Sequence, residues 1–219
     1  MITQIGSLPY GNIEKAIQYS LKHDIPFLPE LPKLGDSMFD YIKNPGSLSC
    51  LDEFKKQEFN RVKIQCVGPV TLMLGNYNED KAIESCYNHI ESIMNGLNAN
   101  EIILFLDEPT LGHAGFNFNQ YWDAIFSCFN VTKGIHICNS MDWDKLFDAN
   151  IDIISFDASE YDLTLFPKYR KNKRIAWGIK KLEEIKDFQK GDLITPPCGL
   201  FSSTEHECEN VFNLLKSYK

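Results

Sequence analysis

Residues 101–158 read EIILFLDEPTLGHAGFNFNQYWDAIFSCFNVTKGIHICNSMDWDKLFDANIDIISFDA, and apolar runs of strand length alternate in them with helical segments. The same alternation continues in both directions along the chain. It gives eight apolar runs, at 3–7, 25–28, 62–67, 101–106, 134–138, 152–156, 174–178 and 193–196. Strands that alternate with helices are typical of βα units and indicate a parallel sheet.

The number of runs decides between two parallel-sheet folds. Eight strands, each followed by a helix or a short substitute, predict a compact (β/α)8 TIM barrel that occupies residues 1–219 as a single domain. An open doubly wound sheet also alternates, but it rarely needs eight strands in 219 residues. It also lacks support from a G-x-G-x-x-G motif after the first run, and no repeat or linker divides the chain.

Composition excludes several classes of protein. A hydrophobic content of 43% with 24% charged residues is ordinary for a folded domain and excludes a disordered or collagen-like chain. The formal net charge of −8 argues against nucleic acid and anionic membranes as partners. The N-terminus lacks the basic and apolar regions of a signal peptide, and no apolar stretch is long enough to span a bilayer. We therefore expect a cytoplasmic protein.

Soft metal ligands follow two of the predicted strands. His136 and Cys138 are two residues apart in GIHICNS (134–140), so they share one face of a strand, and Cys198 lies in PPCGL (196–200) after the eighth run. Since the carboxyl ends of barrel strands meet at one mouth, these three side chains are expected to converge. Seven cysteines, an odd number in a chain too long to need stapling, favour free thiols or metal ligands over a disulfide framework.

Asp157, which follows the run 152–156, completes a ligand set that suits Zn²⁺. A substrate thiol that replaces this carboxylate binds to the metal as a thiolate, and the total charge of the ligands does not change. A thiolate of this kind attacks an alkyl carbon, which predicts methyl transfer rather than hydrolysis. The alternative is that His136 and Cys138 pack in the core and that Cys198 is a small buried thiol in a turn.

Polar residues at other run ends are candidate substrate contacts. Asp107 follows the run 101–106 and is placed to hold a substrate ammonium, or else to cap the next helix. Glu30, in LPELP (28–32), is a second candidate for the ammonium, or only a rigid loop residue. Ile5 and Ser7 flank a glycine that permits close backbone approach, so this segment is a candidate for binding a carboxylate through N–H groups.

Six motifs in the same order resemble those of the catalytic domain of cobalamin-independent methionine synthase. They are TQIGSLP (3–9), GPVT (68–71), LDEP (106–109), HIC (136–138), ISFDAS (154–159) and PCGL (197–200). The resemblance implies a TIM barrel of the superfamily shared with uroporphyrinogen decarboxylase, and a methyltransferase that converts homocysteine to methionine. Decarboxylation of a tetrapyrrole is disfavoured, because its many carboxylates call for cationic clamps and the chain has three arginines.

The resemblance also implies roles for individual residues. It places Zn²⁺ on His136, Cys138 and Cys198. We expect Cys198 and Asp107 to be the catalytic residues. It further implies that Asp107 contacts the ammonium of homocysteine, and that the carboxylate lies against the residues Ile5 and Ser7.

Three positions depart from the family pattern. A glutamate is the fourth zinc ligand of the family where Asp157 stands here, one methylene shorter, and Glu160 is the other candidate. The segment WGIKK (177–181) lacks the histidine that the folate enzyme carries after strand seven. The segment IPFLPELPK (25–33) is similar to one in short single-barrel relatives that are associated with corrinoid-linked methyl transfer.

These departures leave two choices open. The methyl donor is either methyl-tetrahydrofolate or a methyl-corrinoid protein, which would be a partner of the chain. The alternative to catalysis is a barrel that binds zinc or an amino acid without turnover, as a sensor or as a subunit of a larger complex.

Overall fold

A parallel sheet organises the computed structural model, which describes residues 1–40, 43–113 and 117–218. Within these residues the sheet has six strands in the order β1-β2-β3-β4-β5-β6 and is curled into a half-barrel. The strands are Glu58–Val67 (β1), Asn98–Asp107 (β2), Thr132–Ile137 (β3), Ile153–Asp157 (β4), Arg174–Gly178 (β5) and Leu193–Thr195 (β6). Each strand pairs in parallel with the next one along the chain, so all six carboxyl ends lie at one edge.

Seven α-helices are present in the same described residues. They are Ile13–Leu21 (α1), Leu51–Phe54 (α2), Pro69–Leu74 (α3), Glu79–Met94 (α4), Asn119–Phe126 (α5), Trp143–Asp148 (α6) and Glu205–Ser217 (α7). Short 3₁₀ turns, Leu163–Leu165 and Leu182–Glu184, take the place of helices after β4 and β5. Among the helices described, none combines the length and the hydropathy of a membrane-spanning segment.

The prediction of a closed (β/α)8 barrel is wrong. The six later runs are strands, but the runs 3–7 and 25–28 make only isolated parallel bridges. These bridges are Ile2 with Ile194 in β6, Ser7 with Glu30, and Phe27 with Lys63 in β1.

The backbone donors of these two runs explain why they do not become strands. Within the runs, the N–H of Gly6 donates to the side chain of Gln65 and that of Phe27 to the hydroxyl of Ser20, and the N–H of Ile2, just before the first run, donates to Asp24. Pro26 has no N–H to donate. Since a ladder needs a regular series of backbone donors, donors that bond to side chains or are missing leave single bridges.

Two apolar layers lie on opposite faces of the sheet. The convex face packs against the helices in the main core, which includes Trp122, Trp143 and Phe156. A smaller cluster consists of Ile25, Ile103, Phe105, Ile153, Ala176 and Leu193. Because side chains alternate along a strand, Phe105 shares its face with Asp107 and Ile153 shares its face with Ser155. Polar side chains therefore follow the apolar cluster toward the carboxyl edge.

Local signals in the sequence fix the ends of the longer helices. Asn78 caps α4 by accepting from the N–H of Lys81, and Thr204 forms a capping box with Glu207 at the start of α7. The short helix α3 starts with Pro69 and lacks a capping side chain of its own, so Glu108 from the end of β2 accepts from the N–H groups of Val70 and Thr71. Of the two adjacent carboxylates at the end of β2, Asp107 and Glu108, Glu108 therefore has a structural role.

Candidate metal centre

The three soft ligands predicted from the sequence meet at the carboxyl edge of the sheet. His136 Nε2 lies 3.1 Å from Cys138 Sγ, and the two sulfurs of Cys138 and Cys198 lie 3.6 Å apart. One ligand atom from each residue lies within 4.8 Å of the others, so the group could hold a metal ion. All seven cysteines are free thiols, so neither Cys138 nor Cys198 forms a disulfide.

The separation of the two sulfurs fits a tetrahedral ion with these ligands. Zn–S bonds of about 2.3 Å at tetrahedral angles place two sulfurs about 3.8 Å apart. The sulfurs here are 3.6 Å apart before any ion is considered. Thiolate and imidazole are ligands that Zn²⁺ prefers, so the donor chemistry and the spacing agree.

His136 is held by the neighbouring strand. It is 2% exposed at the end of β3, and its Nδ1 lies 3.0 Å from the hydroxyl of Ser155, the residue paired with it on β4. With a cation bound, a proton on Nδ1 donated to Ser155 would leave the lone pair of Nε2 for the cation. Ser155 is therefore an orienting partner that the sequence analysis missed. Its position in register with His136 is visible only once the strands are aligned.

Cys198 reaches the site because the chain crosses closely over β5. A Cβ on Gly178 would lie 2.8 Å from the Cα of Pro197, and a Cβ on Gly199 would lie 1.9 Å from the hydroxyl oxygen of Ser7. Glycine at both positions thus lets the segment around Cys198 lie against β5 on one side and residue 7 on the other. The sulfur of Cys198 remains at the exposed side of the group, while Cys138 is half-buried.

The two thiols polarise each other. A hydrogen bond from Cys138, and a second from His136, lower the pKa of Cys198 to about 4. The same bond between the sulfurs, together with burial, raises the pKa of Cys138. The pair thus holds one proton between two sulfurs, and a cation bound there would take that proton's place.

Asp157 lies close to this group without joining it. Its Oδ1 accepts from the N–H and the hydroxyl of Ser159, at 2.8 and 2.6 Å, and Oδ2 lies 3.7 Å from Lys180 Nζ. Its negative charge still contributes to the raised pKa of Cys138. Glu160, the other candidate for the fourth ligand, is exposed. Ligation by Asp157 stays a prediction.

A cavity of about 360 Å³ adjoins the three ligands and brings the predicted substrate contacts together. Ile5, Ser7, Glu30 and Asp107 all line it, beside His136, Cys138 and Cys198. Asp107 is 8% exposed, and its Oδ1 has no hydrogen-bond partner among the described residues. Burial raises the pKa of Asp107, whereas the electrostatic effects of His136 and Lys63 lower it.

Glu30 lines the same cavity. Burial and the charge of Asp107 raise the pKa of Glu30 to about 7, while a hydrogen bond from Gln65 and the charge of Lys63 act in the other direction. Lys63 and Gln65 were not singled out in the sequence. Their spacing in the sequence could have identified them, because these two polar residues are two apart in VKIQCV (62–67) and share one face of an otherwise apolar strand.

Comparison of the chain with protein-family models and with curated proteins finds no match.

Proposed function

We propose that the protein transfers a methyl group to a small thiol, with homocysteine as the first candidate, at a zinc ion held by His136, Cys138 and Cys198. One observation carries this proposal: an imidazole nitrogen and two sulfurs converge on the wall of a cavity that also contains an unpaired carboxylate oxygen. The cavity of about 360 Å³ is of a size that suits an amino acid.

Zinc bound by these residues would hold a substrate sulfur as a thiolate at neutral pH. The chain's own part is to keep the donors in place: Ser155 fixes the ring of His136, and β3 and the segment around Cys198 bring the sulfurs together. In the transfer, a sulfur lone pair forms the new S–C bond, and the bond from the methyl carbon to its donor breaks with its electrons left on the donor. The proton of the thiol leaves to solvent at the exposed side of Cys198.

Other residues that line the cavity would orient the rest of the substrate. The free oxygen of Asp107 and the carboxylate of Glu30 are acceptors for an ammonium group. Ile5 and Ser7 line the same cavity, and the hydroxyl of Ser7 is a donor for the carboxylate end, whereas the N–H of Gly6 between them is already bonded to Gln65. A thiol amino acid therefore has a complementary group at each end.

A second candidate, binding of zinc or an amino acid without turnover, is favoured by one observation. After β5 the chain carries Lys180, which pairs with Asp157 at 3.7 Å, and no histidine stands between residues 177 and 181 to donate a proton during transfer. The two candidates share the metal site and differ only in catalysis.

Metal content tests the part that both candidates share. We expect about one zinc per chain in the purified protein, and Cys138→Ser or Cys198→Ser should each remove most of it. Cys128→Ser is the matched control, because this exposed thiol lies outside the group. Full zinc content in both ligand variants would overturn the site.

Methyl transfer separates the two candidates. The zinc-loaded protein is incubated with homocysteine and either methyl-tetrahydrofolate or methylcobalamin, with and without a corrinoid carrier protein, and methionine is measured. Methionine with one donor supports the proposal and identifies the donor class. Zinc binding without methionine from any donor would support the second candidate.

A further inference from the structure

A chain of hydrogen bonds behind the cavity wall leads from a buried lysine to Glu30. Gln65 Oε1 accepts from Lys63 Nζ at 2.6 Å and from the N–H of Gly6 at 2.7 Å. Because this oxygen already faces two donors, the amide has only one satisfactory orientation. Its nitrogen Nε2 is then the atom that donates to Glu30 Oε1, at 3.1 Å.

Gly6 makes this arrangement possible. A Cβ at this position would lie between 2.6 and 2.9 Å from three atoms of the Gln65 amide. Residues with a side chain would therefore push the amide away from both of its donors. The glycine in TQIGSLP thus makes room for the Gln65 amide, which also takes the Gly6 N–H that the sequence had suggested for a carboxylate.

One buried lysine and two buried carboxyl groups lie in this region. Lys63 is 1% exposed, and Glu30 and Asp107 are each 8% exposed. Lys63 Nζ bonds to Gln65 and lies 5.0 Å from the centre of the Phe105 ring, so it acts on both carboxylates from a distance. When Glu30 and Asp107 are both ionised, the one buried cation balances only one of them. A bound ammonium would balance the other, and Asp107 Oδ1 offers it an acceptor that has no other partner among the described residues.

We infer that Gln65 is a positioning residue that holds Glu30 toward the cavity, so that Glu30 and Asp107 together accept one ammonium group. Lys63 and Gly6 hold the Gln65 amide in the orientation that this requires. The inference rests on the proposed function and extends it, because it makes the site selective for thiols that carry an amine. Without the bond from Gln65, Glu30 has no fixed direction and the selectivity is lost.

Binding to the cobalt-substituted protein tests this inference without turnover. Co²⁺ replaces the zinc, and sulfur-to-cobalt absorption reports the binding of a thiol. The two ligands are homocysteine and 4-mercaptobutanoate, which lacks only the amine. We expect the wild type to bind homocysteine about 10-fold or more tightly than 4-mercaptobutanoate, because this factor corresponds to the free energy that a buried charge-assisted hydrogen bond contributes. Gln65→Leu should reduce this preference to about 3-fold or less by weakening homocysteine alone.

Two further variants control the experiment. Gly6→Ala keeps the glutamine but displaces its amide, so it should lose the amine preference as Gln65→Leu does, and it serves if that variant does not fold. Gln120→Leu, an exposed position on α5, should keep the wild-type preference. Cobalt content and thermal unfolding establish that each variant is folded and loaded.

The outcomes are distinguishable. A wild type that binds neither thiol overturns the proposed function and this inference together. A wild type that binds both, with an unchanged preference in Gln65→Leu and Gly6→Ala, overturns this inference alone. An equal loss of affinity for both thiols in these variants also overturns it, because that result shows a merely structural role for Gln65.

Discussion

Replacing Gly178 with alanine should damage the metal centre although Gly178 is not a ligand. The added Cβ would lie 2.3 Å from the carbonyl oxygen of Phe156 and 2.8 Å from the Cα of Pro197. Ordinary contact begins near 3.4 Å, so these two backbone atoms must retreat by about 1 Å and 0.6 Å. Pro197 directly precedes Cys198, so its displacement moves a ligand sulfur.

The size of that displacement sets the expected effect. Metal–ligand distances hold to within about 0.2 Å, so a shift of about 0.6 Å exceeds what the site tolerates. We expect the affinity for zinc to fall by about 10- to 100-fold, as it does when groups that support a ligand are removed. Overpacking should also lower the free energy of unfolding of the metal-free protein by about 1–3 kcal/mol.

Competition with a chromophoric chelator at pH 7 measures the affinity, and urea unfolding of the metal-free protein measures the stability. Gly11→Ala is the matched control, because a Cβ there meets nothing within 4 Å and should change neither quantity. A Gly178→Ala protein with wild-type zinc affinity would refute the reasoning, since Cys198 would then be placed by contacts other than the crossing over β5.

Two further changes test the surroundings of the site and the core. Ser155→Ala removes the partner of His136 Nδ1, and zinc affinity in the same competition assay should fall by about 10- to 100-fold; an unchanged affinity would show that the ring is fixed without it. Burial lowers the pKa of His23 to about 4, so the unfolded chain binds more protons than the folded chain between pH 4 and 6.5. His23 therefore destabilises the fold by up to about 3 kcal/mol as the pH falls through this window. His23→Phe should remove that part of the pH dependence in urea unfolding at pH 4.5 and 7, and equal pH dependence in both proteins would contradict it.

The sequence predicted the positions of the strands more reliably than whether they close into a barrel. The run 174–178 coincides with β5, and the other five later runs fall on strands with ends shifted by one to four residues. Periodicity detects apolar residues, but it does not show where each backbone N–H bonds. The runs 3–7 and 25–28 have the right apolar character, yet the side chains of Gln65 and Ser20 accept hydrogen bonds from N–H groups within them, and the prediction of a closed barrel was therefore wrong.

The sequence also predicted some residues of the candidate site better than others. His136, Cys138 and Cys198 meet as the sequence predicted, because each lies at or just after the carboxyl end of a parallel strand. Asp157 also lies at the end of a strand, but its Oδ1 accepts hydrogen bonds from the N–H and the hydroxyl of Ser159, two residues later. A short side chain bonds its local neighbours before it reaches a distant site, and local bonding of this kind is not visible in a spacing.

The meeting of Cys138 and Cys198 depends on the curvature of the sheet rather than on the number of its strands. β3 and β6 are three intervals apart in the sheet, which in a flat sheet would separate their ends by about 14 Å. The sulfurs are 3.6 Å apart, so the curl and the segment after β6 close the difference. A Cβ on Gly134 would lie 2.8 Å from the Phe105 ring, so glycine makes room for this ring on the concave face. The ligands therefore meet in a half-barrel as they would in a closed one, because three neighbouring intervals of a curled parallel sheet are enough.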